Sequence, residues 1–461
     1  MKPVCVQGLG FVGSAMAVAI ASSTDKSGNP IYHVTGVDQD SHTGVERVDM
    51  LNRGEFPFPS TDSTLSEALQ RAHQIGNLHA TTDPSAYELA EVVVVDVALD
   101  IDFGSEEPRF ETFALEKAIR SVAQRVAKGA LILVETTVPP GTCEKILLPA
   151  LSEELKQRGL ARDAVHLAHS FERVMPGSQY LESISRFWRV YSGATTEAAD
   201  RCEEFLSTVV DVREFPLKRL SSITASETAK VMENTYRAVN IAFIDEWTKY
   251  AETVGIDLFE IIDAIRVRPT HSNIRFPGIG VGGYCLTKDP AFTPAAARQL
   301  FKSEELKFPF SELAMQVNQA MPEHVLNRLN GALGDDLRGK SILLMGVSYR
   351  QDIGDTRFSP VETLAQDLLQ SGANIIAFDP FLNHWSEMAL ELPTVIPSPN
   401  DFDAVVIATS HRQFIEMDWI SWLGTSKPLI LDTVNVLSKT HRTECRSLGI
   451  QVESIGRGDG L

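Results

Sequence analysis

The stretch "PVCVQGLGFVGSAMAVAIASS", residues 3–23, runs an apolar strand-like segment into a turn carrying Gly8, Gly10 and Gly13, then into a run of small and apolar residues suited to a buried helix. A second strand-like run, "HVTGVD", follows and ends on Asp38. G-x-G-x-x-G set between a strand and a helix has a physical purpose. The glycines permit the tight turn and a close backbone approach, and the helix N-terminus receives a pyrophosphate. Asp38 stands 30 residues after Gly8 (38 − 8), and the polar insertion "STDKSGNP" accounts for the extra length. A carboxylate there holds both ribose hydroxyls and repels a 2′-phosphate, so the cofactor expected is NAD rather than NADP. A glycine turn that serves packing alone is the plainer alternative, and the complete strand, turn, helix, strand and acid context weighs against it.

Outward from this unit the same texture continues. "AEVVVVDVAL" (90–99) and "GALILVETT" (129–137) read as strands, with the helix-like "ETFALEKAIRSVAQRVAK" (111–128) between them. Alternating β and α units predict a parallel, doubly wound sheet over residues 1–210. Residues 221–255 lack Pro and hold an internal Gly only at their end; Val231, Thr235, Ala238, Ala242 and Trp247 recur at roughly helical spacing, with Ser226 at or just inside the start. One long helix is expected there, a connector and a surface for pairing two copies. From "KSILLMGVSYR" through "SPVETLAQDLLQSG", "ANIIAFDP", "DFDAVVIATS" and "KPLILDTVNVL" the βα alternation returns. The expected fold is therefore α/β, two Rossmann-like doubly wound parallel-sheet domains joined by a long central helix. The expected domains are 1–210, a central helical region 211–315, and 316–461.

Composition narrows the function classes. At 461 residues the chain exceeds one ordinary core, and its net charge of −19 argues against a general nucleic-acid-binding surface. An anionic small ligand needs only local basic groups or helix N-termini. Cys5, Cys143, Cys202, Cys285 and Cys445 are far apart, odd in number and without a C-x-x-C pair, so neither a metal site nor a disulfide framework is expected, and a reducing cytoplasm fits. The N-terminal run imitates a signal peptide, but cleavage there would remove "GLGFVG". "VVVVDVAL" is too short to span a bilayer and holds Asp96, so no membrane association is expected. The terminal "GRGDG" reads as a chance disordered end.

The segment with most chemistry is "FPGIGVGGYCLTKDP" (276–290), which packs Gly278, Gly280, Gly282 and Gly283 before Cys285 and sets Lys288 and Asp289 three and four residues later. A thiol is a strong nucleophile whose reactive fraction rises beside a cation or base. A lone Cys is more often an inert buried hydrophobe, and the glycine-rich setting with two ionisable neighbours argues for a presented thiol. "VETTVPPGT" (134–142) puts Thr136 and Thr137 at a strand end, where ligands bind in such sheets; a hydroxyl-capped turn is the plainer reading. Lys230 and Asn234, with Glu227 and Arg237 a turn to either side, share one helix face, which alone is as consistent with a solvated charged face. Asp379 occupies in the third segment the place of Asp38, without the spaced glycines, so a nucleotide other than a second dinucleotide suits that half.

Taken in order, "GLGFVG", "ETTVPPGT", "FERVMPG", "SETAKVMENTYRAVNIAF", "PGIGVGGYCLTKDP", "GDTRFSP" and "FDP" resemble the motifs of the nucleotide-sugar 6-dehydrogenase family, from Met1 to about residue 440. The resemblance implies oxidation of the C6 alcohol of a UDP-sugar to a carboxylate with two NAD+ in succession. Cys285 matches the family's nucleophile, which captures the aldehyde as a thiohemiacetal and releases the acid from a thioester. Lys230 and Asn234 match residues set against the reacting oxygen; Asp289 and Thr137 match residues that hold or activate water; Glu172 matches an acid in hydrolysis or proton transfer. Phe11 and Val12 fall with Gly8, Gly10, Gly13, Asp38, Thr137 and Arg357 in the cofactor site. Arg173, Arg237, His271, Gly282, Lys288 and Arg357 fall with Glu172, Lys230 and Asn234 around the substrate, and the C-terminal domain resembles a UDP-binding half. "ERVMPG", "ENTYRAVNIAF" and "PGIGVGG" resemble the UDP-N-acetylhexosamine branch, while "GYCLTKDP" resembles the UDP-glucose branch. The implied product serves a surface polysaccharide, and the implied assembly is a homodimer through the central helix, with larger assemblies open. "VALD" (97–100) and His271 depart from the family pattern, as do Arg350 and Phe358, and they keep UDP-glucose oxidation and a non-catalytic nucleotide-sugar-binding role in view as alternatives.

Overall fold

The computed structural model describes residues 1–104 and 107–458. The chain divides into two compact units, Met1–Glu233 with Ala291–Lys307, and Asn234–Pro290 with Phe308–Leu461.

The first unit is built on an eight-stranded sheet. Its order is Lys218–Arg219, Val190–Gly193, His166–His169, Leu131–Val134, Val92–Val95, Lys2–Gln7, Tyr32–Val37, Leu78–Thr81. Strand Lys2–Gln7 is central, with Val4 opposite Val34 on one side and Val92 on the other, both parallel. Strands covered on both faces need apolar residues throughout rather than in alternation, which is why "VVVV" and "LILV" are continuous. The helix Phe11–Ala21 is just as enclosed, with Met16, Val18 and Ile20 fully buried. The chain reverses strand order between Lys2–Gln7 and Val92–Val95, and such a switch point opens a crevice at the strand C-terminal ends. One expectation needs correction: the sheet is not wholly parallel, because Val190–Gly193 runs antiparallel to His166–His169. The helix between those strands, Tyr180–Ser185, has six residues. It is too short to carry the chain back along the sheet for a parallel crossover.

The second unit holds a wholly parallel five-stranded sheet, ordered Asn374–Phe378, Ser341–Met345, Ala404–Ile407, Leu429–Asp432, Val452–Ser454. Helices Leu258–Arg266 and Pro309–Ala332 belong to it. The tail corrects a second expectation. Arg457, far from lying in a disordered end, is buried, donates from Nε to Asp257 at 2.8 Å and lies 4.1 Å from the Phe259 ring centroid, while Gly458 N donates to the Ile256 carbonyl. Asp459, the last member of the Arg-Gly-Asp triplet, lies outside the described residues.

The long helix is present as Ile223–Val254 and contributes residues to both units. Ser222, rather than Ser226, caps it, accepting from the Ala225 amide at 3.1 Å; Ser226 lies within the helix. Val231, Ala238 and Ala242 face the interior as expected, but Trp247 is 44% exposed. No helix among the described residues is long and apolar enough to cross a membrane.

Candidate active site

In the first unit the glycine turn leads directly into helix Phe11–Ala21, with Gly10 at the cap position. Gly8 has φ +92°, and a Cβ there would lie 2.6 Å from the Asp96 carbonyl oxygen; one on Gly13 would lie 1.9 Å from the Gly8 carbonyl oxygen. Any side chain at either position would break the turn. A Cβ on Gly10 would meet nothing within 4 Å. The backbone is thus bare at the helix N-terminus, where a pyrophosphate finds N–H donors and the positive end of the helix dipole. Asp38, at the end of Tyr32–Val37, accepts from the Gln39 amide at 2.8 Å and faces the Arg47 guanidinium at 3.4 Å. Arg47 in turn lies 5.5 Å from the Phe58 ring, which stacks on Phe11 at 4.0 Å. This turn, acid and aromatic wall fit a dinucleotide.

Beyond strand Leu131–Val134, Thr136 and Thr137 are half-buried, and Glu135 beside them is fully buried. Glu135 pairs with Arg189, itself 2% exposed. Asp96, beneath the glycine turn, has both carboxyl oxygens buried, next to the Glu135 carboxyl. Burial and then the neighbouring Glu135 hold its carboxyl well above the usual range, and burial raises Glu135 against the pull of Arg189. Sequence reading registered Asp96 only as a charge breaking an apolar run. Within "VALD", Leu99 is buried in the core while Ala98 and Asp100 are exposed, so this departure keeps an apolar anchor.

Lys230 is 5% exposed; its Nζ donates to the Glu172 carbonyl at 2.9 Å, lies 3.6 Å from the Glu172 carboxylate and 5.4 Å from the Phe171 ring. Glu172 Oε2 also accepts from the Val174 amide. Two residues far apart in sequence thus meet as an acid and an ammonium. Arg173 forks onto Glu233, with contacts of 3.1 and 2.7 Å, and stacks over Phe171 at 4.9 Å. His169 shares a 2.7 Å hydrogen bond with Ser226, and burial pushes it down to about 3, so it is neutral.

In the second unit, Cys285 is exposed, whereas Cys5, Cys143, Cys202 and Cys445 are buried. Burial pushes Cys5 up to about 12 and raises the other three buried thiols as well. Only Cys285 is open to a substrate. Its carbonyl accepts from the Asp289 amide at 2.9 Å, one turn later. Asp289 is fully buried, with one oxygen bonded to Asn234 Nδ2 at 2.7 Å and the other to Lys288 Nζ at 2.9 Å. Lys288 Nζ lies 4.4 Å over the Tyr284 ring. Cys285, Asp289, Lys288 and Asn234 therefore form one connected group.

The glycines bring this loop against the protein itself. A Cβ on Gly282 would fall 2.6 Å from Tyr349 Cβ, and one on Gly283, whose φ is +82°, would fall 2.7 Å from the Tyr349 ring. The Gly283 amide donates to the Arg357 carbonyl. Arg357 forks onto Asp355 at 2.9 and 2.7 Å and lies 6.0 Å from the Tyr284 ring.

His271 lies in a short turn, Pro269–His271, bonded to the Thr270 hydroxyl at 2.9 Å. Asn240 holds that loop through the Asn273 carbonyl and the Arg275 amide. Burial and the neighbouring Arg237 and Arg266 lower the Arg275 guanidinium from its usual value. Three guanidinium groups are therefore gathered at Arg275, four residues beyond His271 in the chain. Asp379 is fully engaged by the Val347 and Ser348 amides and by His411, so it shapes its own turn. Among the described residues there is no cluster suited to a metal ion.

Three family descriptions match the chain: the NAD binding domain of the UDP-glucose/GDP-mannose dehydrogenase family over residues 2–209, its central domain over 224–320, and its UDP binding domain over 343–439. A UDP-N-acetyl-D-mannosamine dehydrogenase of Pyrococcus horikoshii is 31% identical over 465 aligned residues, covering 99% of each chain. A solved UDP-D-ManNAc dehydrogenase structure from Pyrococcus horikoshii superimposes with TM-score 0.83 at 27% identity, covering 99% of this chain and 100% of that one. An NDP-N-acetyl-D-galactosaminuronic acid dehydrogenase of Methanosarcina mazei Go1 gives TM-score 0.81 at 27% identity, covering 100% and 96%.

Proposed function

The chain belongs to the UDP-glucose/GDP-mannose dehydrogenase family and is an NAD-dependent oxidoreductase of UDP-sugars, and from that premise we propose that its substrate is a UDP-N-acetylhexosamine, oxidised at C6 from hydroxymethyl to carboxylate. The names of its relatives support an N-acetylated sugar. The observation that carries the chemistry is the exposed Cys285, one turn from an Asp289 that binds both Asn234 and Lys288.

When bound, NAD+ would supply the hydride acceptor for each of two rounds, with Gly8, Gly10 and Gly13 holding its pyrophosphate and Asp38 its adenosine ribose. In the first oxidation the C6 hydroxyl loses a proton and a hydride to become an aldehyde, and Lys230 and Asn234 stabilise the charge on its oxygen. Preorganised donors of this kind contribute about 3–4 kcal/mol each. The Cys285 thiolate then adds to the aldehyde carbon and the oxygen takes a proton, giving a thiohemiacetal. This tetrahedral carbon retains a hydrogen that can leave as the second hydride, and loss of the hydroxyl proton leaves a thioester. Water held by Asp289 and Thr137 attacks the thioester, with Glu172 moving a proton; the C–S bond breaks and the carboxylate leaves. Lys288, Arg357 and Gly282, with Arg173, Arg237 and His271, contact the nucleotide sugar, and Arg275, close to Arg237 and Arg266, adds positive charge to that loop.

The acid product supplies a surface polysaccharide, and the enzyme works in the cytoplasm, as its five free cysteines, one of them exposed, suit. It pairs as a homodimer through the exposed stripe Tyr236, Phe243, Trp247, Tyr250 and Val254 along the central helix. Purified protein with NAD+ and single UDP-sugars tests the proposal. Two NADH per UDP-N-acetylhexosamine are expected; one NADH per sugar, or a preference for UDP-glucose, defeats the mechanism or the substrate assignment respectively. Trp247→Glu should halve the sedimenting mass, and an unchanged mass removes this helix from the interface.

A further inference from the structure

Between Thr137 and Cys143 the chain has few groups with which to hold its own shape. Pro139 and Pro140 have no N–H to give, and both the amide and the hydroxyl of Thr142 close back on the Pro139 carbonyl, at 3.1 and 2.6 Å. The amides of Gly141 and Cys143 leave the turn and meet one side chain: Gly141 N donates to Glu227 Oε2 at 2.6 Å and Cys143 N to Glu227 Oε1 at 2.8 Å. Glu227 is fully buried and stands three residues before Lys230 on the same helix. The groups that act on it are these two amides, the Cys143 thiol and the Glu144 carboxylate, and among the described residues it makes no ion pair. A buried carboxylate without a cation is costly unless hydrogen bonds satisfy it. Here both oxygens are spent on one turn.

We propose that Glu227 is a positioning residue, whose two ionised oxygens register the Thr137 turn on the helix face that carries Lys230. The proposal rests on the roles given above to Thr137 and Lys230. Burial pushes Glu227 up to about 7, against the lowering by the Cys143 amide and thiol and the Gly141 amide; Glu144 adds to the rise. Below that value a proton on one oxygen turns an acceptor into a donor facing another donor, and the turn loses one of its two ties. The proton therefore acts through geometry on the Thr137 turn and leaves the glycine turn untouched.

The test is kcat for wild type and Glu227→Gln with NAD+ and UDP-N-acetylhexosamine from about pH 5.5 to 8.5. The amide keeps one acceptor and matches the protonated carboxyl. The wild-type to variant ratio should rise from near 1 at the acid end to about 10–100 at the alkaline end, the usual consequence of misplacing a group by an ångström. The KM for the UDP-sugar should stay within about twofold, because none of its contacts lies on this turn. A ratio that is flat with pH, or an equal effect on UDP-sugar binding, overturns the proposal. Hydrogen exchange of wild-type amides 141–143, corrected for intrinsic rates, gives a second reading that needs no variant and no turnover: protection about tenfold higher at pH 8 than at pH 6 is expected, with Leu131–Val134 unchanged. Equal protection at the two pH values refutes it. Wild-type inactivity on every UDP-sugar would defeat the function proposed above and leave the exchange result to decide this one.

Discussion

Replacing Arg189 by Met tests the charge balance beneath the glycine turn. Arg189 is 2% exposed and donates to Glu135, which is fully buried; Asp96 lies nearby with both carboxyl oxygens buried. Burial raises both acids, and Arg189 is what pulls Glu135 back. Breaking a buried pair by removing one partner costs about 3–5 kcal/mol. At 1.36 kcal/mol per pKa unit, the same energy moves Glu135 upward by roughly 2–4 units, so the variant escapes part of the loss by taking up a proton. The sign follows from linkage: a carboxyl whose folded value is raised is fully compatible with folding below its unfolded value, and loses that advantage as pH rises through its folded value. The Arg189→Met deficit should therefore be about 3–5 kcal/mol at pH 8 and less than half of that at pH 5. In a chain of two units a global transition is hard to assign. Urea titration read by hydrogen exchange of strand Leu131–Val134 localises the effect to this sheet. A deficit under about 1 kcal/mol at pH 8, or the same deficit at both pH values, would refute the reasoning.

Asp38→Ala should raise the KM for NAD+ about tenfold, the cost of roughly 1.4 kcal/mol of ribose contact, and should bring in measurable turnover with NADP+ because Arg47 is then unopposed; unchanged cofactor preference would remove Asp38 from the ribose site. Cys285→Ala should stop the second oxidation, so that mass spectrometry finds no covalent sugar adduct and no more than one NADH appears per sugar; two NADH would exclude the thiol from the reaction. Arg457→Met should lower the stability of the second unit by about 1.5–3 kcal/mol through loss of the charged hydrogen bond to Asp257, seen as faster exchange in helix Leu258–Arg266; unaltered exchange would show that the tail is passive.

Much of the architecture was legible because it depends on local pattern. Continuous apolar runs such as "VVVV" and "LILV" mark strands enclosed on both faces, and a strand, three spaced glycines and a helix can close on a pyrophosphate in one way only. The long helix was legible too, since nothing in 223–254 interrupts it. The antiparallel strand Val190–Gly193 and the docked Arg457 were not, because each depends on a partner distant in sequence: His166–His169 for the strand, Asp257 and Phe259 for the arginine.

The same division runs through the candidate site. Residue identity and spacing along the chain singled out Cys285 with Lys288 and Asp289 beside it, whereas Lys230 and Asn234 took their roles only from the resemblance of their motif to the family's, because a shared helix face alone suits a solvated surface equally. Tertiary structure alone decided which cysteine is exposed, that Asp289 is shared by Asn234 and Lys288, and that Glu227, in sequence only a neighbour on the helix face of Lys230, spends both oxygens on the Thr137 turn. Only packing decided that Glu135 and Asp96 would be buried around Arg189. A sequence specifies which groups are available; burial and hydrogen-bond partners set their charge and direction, and these come from segments tens to hundreds of residues apart that meet only in the folded chain.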